Sequence, residues 1–145
     1  SIPYTAFDRD FSTSRQGKQS GHDVHFGDMY NAITQKAANL DKAAAAFVTS
    51  RDTVHAKGLA VTLHRLYPQL DVHVIVHTLM EQDELATRGI EQASTTYIEG
   101  TLVRGGQLLK NLGIAEADVI ELVSTFRKDN YALIRANYAE TAQEE

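Results

Sequence analysis

Apolar and polar positions alternate, then change period, several times along this chain. The opening SIPYTAFDRD places Ile2, Tyr4 and Ala6 on one face of an extended segment, with aromatic and β-branched residues that favour strands. The polar, glycine-punctuated stretch 11–21 predicts a short helix capped by Ser12 or Thr13 and ending near Gly21. A second strand is predicted at Val24 to Phe26. A helix over Met29–Leu40 follows, with Ile33, Ala37 and Leu40 at helical spacing. Lys42–Ser50 is an apolar run too short for a buried helix and suited to a buried parallel strand. Asp52 or Thr53 caps the next predicted helix, with Val54, Leu59, Leu63 and Leu66 as its buried face and Pro68 as its stop. Asp71–Thr78 is the strongest strand signal. Residues 80–88 predict a helix ended by Gly89, and Tyr97-Ile98 a short last strand. Thr101–Leu112 then reads as a helix closed by Gly113, and Ala115–Ala142 as a long helical tail.

Strands separated by helices of this length predict an α/β fold: a parallel sheet with helices on both faces. A boundary near Gly100 divides it into a sheet region, 1–99, and a helical segment, 100–145. Leu102, Val103, Leu108, Leu109 and Leu112, followed by Val119, Ile120, Leu122, Val123 and Phe126, exceed what a lone appended helix buries. They either pack on their own sheet or form a helix-swapped symmetric dimer, and the dimer is the expected arrangement.

Composition narrows the function classes. The 145 residues contain no cysteine, which removes disulfides, thiolate metal sites and thiol nucleophiles from consideration. The net charge of −5 without a dense basic run disfavours binding to nucleic acid. No apolar run approaches the length of a membrane span, and no signal peptide is evident. Six histidines invite a metal reading, but no pair has ligand geometry. His22 and His25 point to opposite faces of a strand, and His73 and His77 are ~13 Å apart along one. No metal is expected.

In open α/β sheets ligands bind at the carboxyl ends of the strands. Here those positions carry Asp8-Arg9-Asp10, Gly27-Asp28, Thr49-Ser50-Arg51 and His77-Thr78. A carboxylate ending an early strand accepts hydrogen bonds from a ribose diol, a role open to Asp8. Arg9 can lie over an adenine face, Gly27 can admit a ligand to the backbone, and Asp28 can accept from the adenine amino group. The competing reading is ordinary loop polarity and helix capping, which Asp52 fits best. A G-x-G-x-x-G fingerprint is absent, and Gly105-Gly106 reads as a close helix–helix contact. A receiver-type phosphorylation site would need a lysine after the last strand and finds His77-Thr78 instead.

FDRD, HDVHFGDM, FVTSRD, the E-G-x-L-x-x-G-x-x-L-L-x-x-L-G run from Glu99 to Gly113 and the TFRKDNY tail together resemble a KTN (RCK, TrkA-N) domain. The likeness is to the C-terminal regulatory domain of Kef-type potassium efflux systems, and it extends over essentially the whole chain. It implies a Rossmann-like module that binds an adenine nucleotide, AMP or NAD(H), as a ligand rather than a redox cofactor. It also implies a homodimer formed through the helix after the last strand. Such a module gates the membrane transport domain of its system from the cytoplasmic face of the inner membrane, with glutathione and an ancillary regulatory protein as further partners. By the family pattern Asp8 contacts the ribose, Arg9 and Asp28 the adenine side, and Thr49-Ser50 the lip of the pocket. Met29 completes the nucleotide-binding set. The sequence starts at what is the family's second strand, so its first strand and glycine loop are not in it and an exposed sheet edge is expected. Arginines expected after the 71–76 strand for glutathione are replaced by Val76-His77-Thr78-Leu79. The same fold is compatible with a soluble TrkA-type potassium-uptake subunit. From another class, a small NAD-dependent oxidoreductase fragment is the alternative, although no general acid–base pair stands out and no enzyme activity is expected.

Overall fold

A computed structural model describes residues 2–141, with side chains as far as 136. The chain forms two compact units, Ser1–Thr95 and Thr96–Glu145.

The first unit alternates β1 (Ala6–Asp8), α1 (Phe11–Gln19), β2 (Val24–Phe26), α2 (Ala32–Ala37), β3 (Ala45–Val48), α3 (Thr53–Leu66), β4 (Asp71–Val76), α4 (Leu79–Ala86) and β5 (Ala93–Thr95). Every strand pairing is parallel, as the alternation with helices requires. The strands form two sheets, one of β1-β2 and one ordered β3-β4-β5. Among the described residues β1 pairs only with β2 and β3 only with β4, so each keeps one edge without a strand partner.

The core lies between the three-stranded sheet and its helices. Val72, Val74 and Val76 alternate along β4 and are 5%, 1% and 0% exposed, so one face of the central strand is dry. Against it α3 sets Ala56, Leu59, Ala60 and Leu63, an i, i+3, i+4, i+7 stripe in which two alanines let the helix lie close to the sheet. Leu40, Leu70, Leu85 and Ile90 close the edges. The expected stripe is corrected at both ends. Val54 falls off it and is exposed, because five residues before Leu59 is well round the helix. Leu66 belongs to the last turn and is half exposed.

Three further elements differ from expectation. Helix α1 is capped by Asp10, whose carboxylate accepts from Thr13 N at 2.7 Å, while the Ser12 hydroxyl donates to that same group. Helix α2 is half the length the periodicity implied. Asn31 caps it, accepting from Ile33 N, and Asn39 leaves it at φ 51, so Ile33 points to solvent. The last strand is Ala93–Thr95, and Tyr97 and Ile98 open the following helix instead.

The second unit pairs α5 (Thr96–Asn111) with α6 (Glu116–Thr141). Gly113, at φ 91, makes the reversal, and Ile114 N donates back to Leu109 O. The helices touch at Gly106, where a Cβ would stand 3.3 Å from Val119 and 3.4 Å from Val123; beside Gly105 there is open space. The close contact expected of the glycine pair therefore belongs to Gly106 alone. Glu99 ties the two helices together. It accepts from Arg127 Nε and Nη2 (2.6 Å for the latter) and from the Tyr131 hydroxyl at 2.8 Å. The expected uninterrupted tail is not continuous: Lys128–Tyr131 leave helical geometry, with Asp129, Asn130 and Tyr131 at φ 49, 54 and 63. Ala142, the expected end of that tail, lies outside the described residues.

Candidate functional site

Parallel pairing brings the carboxyl ends of β1 and β2 side by side, with Asp8 opposite Phe26 in register. The Gly27 amide donates to Asp8 O at 2.9 Å, which joins the two strand ends. Asp8, half-buried, ends β1 at this junction. Oδ1 accepts from Asp10 N at 2.8 Å, and among the described residues Oδ2 takes no hydrogen bond. One carboxylate oxygen thus remains for a ligand at the end of the first strand.

Asp28 is exposed, and its Oδ1 accepts from Tyr30 N at 2.9 Å, a local turn that orients the side chain at the end of β2. Gly27 serves close packing. A Cβ there would meet Thr34 of α2 at 2.8 Å and Phe7 at 3.5 Å, so the glycine lets α2 sit on the strand end. Met29 is half-buried and packs against the core, and its carbonyl accepts from Gln35 Nε2 at 2.7 Å. Its side chain is thus engaged in packing, which separates it from the polar members of the expected set.

After β3, Thr49 is exposed, while Ser50 Oγ accepts from Asp52 N at 3.2 Å and Asp52 caps α3 by accepting from His55 N at 3.1 Å. After β4, Thr78 caps α4 in a reciprocal box with Glu81. Burial works to raise the Glu81 carboxyl, but the amides of His77 and Thr78, the Thr53 hydroxyl and the Lys57 charge outweigh it and hold the group below its ordinary value. His77-Thr78 is therefore engaged in building a helix start.

Sequence reasoning named Arg9 but missed His55 and Tyr30 at this end of the first unit. Arg9, just past β1, places Nη1 3.3 Å from His55 Nδ1 on the first turn of α3. Tyr30, from the loop after β2, stands edge-on to the His55 ring with centroids 4.9 Å apart, and its hydroxyl donates to His55 O at 3.2 Å. That hydroxyl occupies the space where Gly58 would carry a Cβ. Gly58 was the available signal, since a glycine inside a helix costs about 1 kcal/mol against alanine and implies a close neighbour.

Among the described residues no group of three or more His, Asp or Glu side chains could hold a metal ion, and no helix is long and apolar enough to cross a membrane. Three of the other histidines have local partners: His22 the Tyr4 hydroxyl, His25 Asp23, and His73 Asp71.

No protein-family profile matches the chain. Two solved structures share its fold. A Kef C-terminal domain from Shewanella denitrificans, in AMP-bound form, aligns with a TM-score of 0.71 at 14% identity over 94% of this chain and 98% of its own. The NAD(P)-binding domain of an exopolyphosphatase-related protein from Archaeoglobus fulgidus aligns with a TM-score of 0.64 at 15% identity, over 73% of this chain and 79% of its own. The fold is α/β and Rossmann-like, and it is the fold of a Kef C-terminal domain.

Proposed function

We propose that this chain is a nucleotide-binding regulatory domain of a Kef-type potassium efflux system, with an adenine nucleotide as a bound ligand and not as a reactant. The observation that carries the reading is Asp8: a carboxylate at the end of the first strand, hydrogen-bonded through one oxygen and open at the other, beside the Gly27-Asp28 end of the neighbouring strand. A ribose diol donates to such an oxygen. Asp28 supplies an acceptor, Arg9 a cation, and Thr49 and Ser50 hydroxyls, while Met29 packs against the core next to Asp28 in the chain. Two structures of the same fold carry AMP or are described as NAD(P)-binding, which supports the ligand class.

Regulation works through a second copy in this reading. Tyr97 and Leu108 share one stripe of α5, which Leu112 just past its end continues, and are 75%, 59% and 71% exposed, while Gly106 lies on another side, against α6. The outer stripe suits a homodimer partner. A nucleotide that binds one arrangement of two protomers better than another biases the transport domain they belong to. Glutathione and an ancillary protein belong to the same proposal as further effectors.

The test is a thermal shift of the purified chain with AMP, NAD⁺, NADH and ATP, repeated on Asp8→Ala. A ligand at 100 times its Kd adds about 2.7 kcal/mol to the native state, enough to raise Tm visibly. The expected result is a rise with AMP or a dinucleotide that Asp8→Ala abolishes. A well-folded sample with no rise for any of the four refutes the reading.

A further inference from the structure

Helix α6 breaks where its sequence offers no ordinary reason to break. From Glu116 to Thr141 it contains neither glycine nor proline, the residues at which most sharp kinks occur. Yet Lys128 is extended, at φ −58 and ψ 146, and Asp129, Asn130 and Tyr131 follow at φ 49, 54 and 63. Left-handed backbone suits aspartate and asparagine singly. Three such residues in succession, the last a tyrosine, oppose the local preference of an L-chain. The place of the break has its cause in α5. Gly106 lies against Val119 and Val123, and Glu99 holds Arg127, so the two helices run antiparallel at one residue against one. Continued, that register brings residue 130 level with Thr96, the first residue of α5, and a straight α6 outruns its partner from there on. The bent form has its own fastenings. The Tyr131 hydroxyl donates to Glu99 Oε1 at 2.8 Å beside Arg127, and Arg135 Nε donates to Asn130 O at 2.8 Å from the turn after the break.

We infer that Lys128–Tyr131 is a two-state hinge: α6 is bent there in this structure and closes into one continuous helix in a second state, which redirects the stretch beyond residue 131 relative to α5. Local preference favours the straight form, because no residue from Ile120 to Ala136 is a helix breaker. The side-chain contacts of Tyr131 and Arg135 favour the bent one. These opposed preferences meet in four residues. The contact of α5 and α6 at Gly106 and the ion pair of Glu99 with Arg127 both precede the hinge, so a helix end moves without unpacking the helix pair. Just beyond the hinge Leu133 is 49% exposed and Ile134 half-buried, and the motion re-aims this apolar stretch. A partner that engages the stretch in one direction better than in the other shifts the hinge by that difference. Nothing in the hinge depends on a bound nucleotide.

Because the chain has no cysteine, Ala117→Cys and Ala136→Cys, both at exposed positions, carry two spin labels across the hinge without background labelling. Pulsed electron double resonance, run in an excess of unlabelled chain, then reads distances within one chain. A continuous helix separates the two positions by about 28 Å, and the bent form gives a different distance. The wild type is expected to show mainly the bent distance. Asp129→Ala with Asn130→Ala removes the two residues that accept left-handed backbone and is expected to populate the distance near 28 Å. Asp129→Gly with Asn130→Gly frees that backbone and is expected to keep the bent distance alone. The ratio of straight to bent should differ at least about tenfold between the two double variants, each with its folding checked by circular dichroism. One unchanged distribution in all three proteins would overturn the hinge, and so would a wild type already near 28 Å.

Discussion

Gly105 and Gly106 are adjacent, identical and in the same helix, yet only one of them should tolerate alanine. Alanine in a helix interior is worth about 0.8–1 kcal/mol over glycine through backbone entropy. Beside Gly105 a Cβ meets nothing within 4 Å, so Gly105→Ala should deliver that gain undiminished. At Gly106 the Cβ would stand 3.3 Å from Val119 Cγ1 and 3.4 Å from Val123 Cγ2. Both methyls must retreat by a few tenths of an ångström. Val119 is 4% exposed, so its retreat disturbs the packing between α5 and α6. Overpacking of this kind costs ~1–3 kcal/mol, which cancels or exceeds the propensity gain. Gly106→Ala should therefore be neutral or destabilising, and Gly106→Val worse, since it adds two methyl groups in the same place. Urea denaturation followed by circular dichroism reads the three variants against the wild type, with unchanged slopes certifying that only stability moved. The double variant should equal the sum of the singles, because the two side chains point to different surroundings. Equal stabilisation by alanine at both positions would refute the α5–α6 contact. Destabilisation by Gly105→Ala would refute the open space beside it.

Two other contacts make comparable demands. The Glu99 carboxyl is held below its ordinary value by Arg127 first, with the Tyr131 hydroxyl adding to the effect. A depressed folded-state value means the clamp contributes its full stability above the ordinary carboxylate range near 4.3 and loses it as the pH falls through the folded value. Glu99→Gln should thus cost about 0.5–1 kcal/mol at pH 7, a modest figure because both partners are partly exposed, and nothing in strong acid; urea midpoints across pH 3–7 give the comparison. Gly58→Ala should displace Tyr30 and lower the melting temperature despite its helix propensity. Adding Tyr30→Phe, which removes the hydroxyl that a Cβ would strike, should restore part of the loss, so a cycle without positive coupling would reject the seat.

What could be read from the sequence follows where local and long-range forces agree. Asp71–Val76 combines strand propensity, alternation and burial, and its strand stands as expected. Ala93–Thr95 has weak intrinsic preference and becomes a strand because β4 offers a parallel edge at Val74, Ile75 and Val76, whereas Tyr97 and Ile98, with strong preference, find no partner and start a helix. The same contrast separates α2 from its predicted length. Asn31 and Asn39 act locally at its two ends and outweigh the apolar spacing between them. In α6, Asp129 and Asn130 are residue types that accept left-handed backbone, so the break was legible there, but Tyr131 in that conformation is not a local preference and coincides with its hydroxyl bonding Glu99.

The same division holds at the rim. Asp8, Arg9, Asp28, Thr49 and Ser50 all follow the carboxyl ends of strands, which needs only the order of elements, although β1 and β2 form one sheet and β3 belongs to the other. His55 and Tyr30 need the fold itself, since 25 residues separate them and Arg9 is 46 residues from His55. The side chains that end strands are therefore legible from the sequence, and the contact of Tyr30 with His55, made by a loop and a helix, is not. The glycine at position 58 connects the two: its missing side chain is the space into which Tyr30 reaches, and through Tyr30 it fixes the imidazole that Arg9 faces.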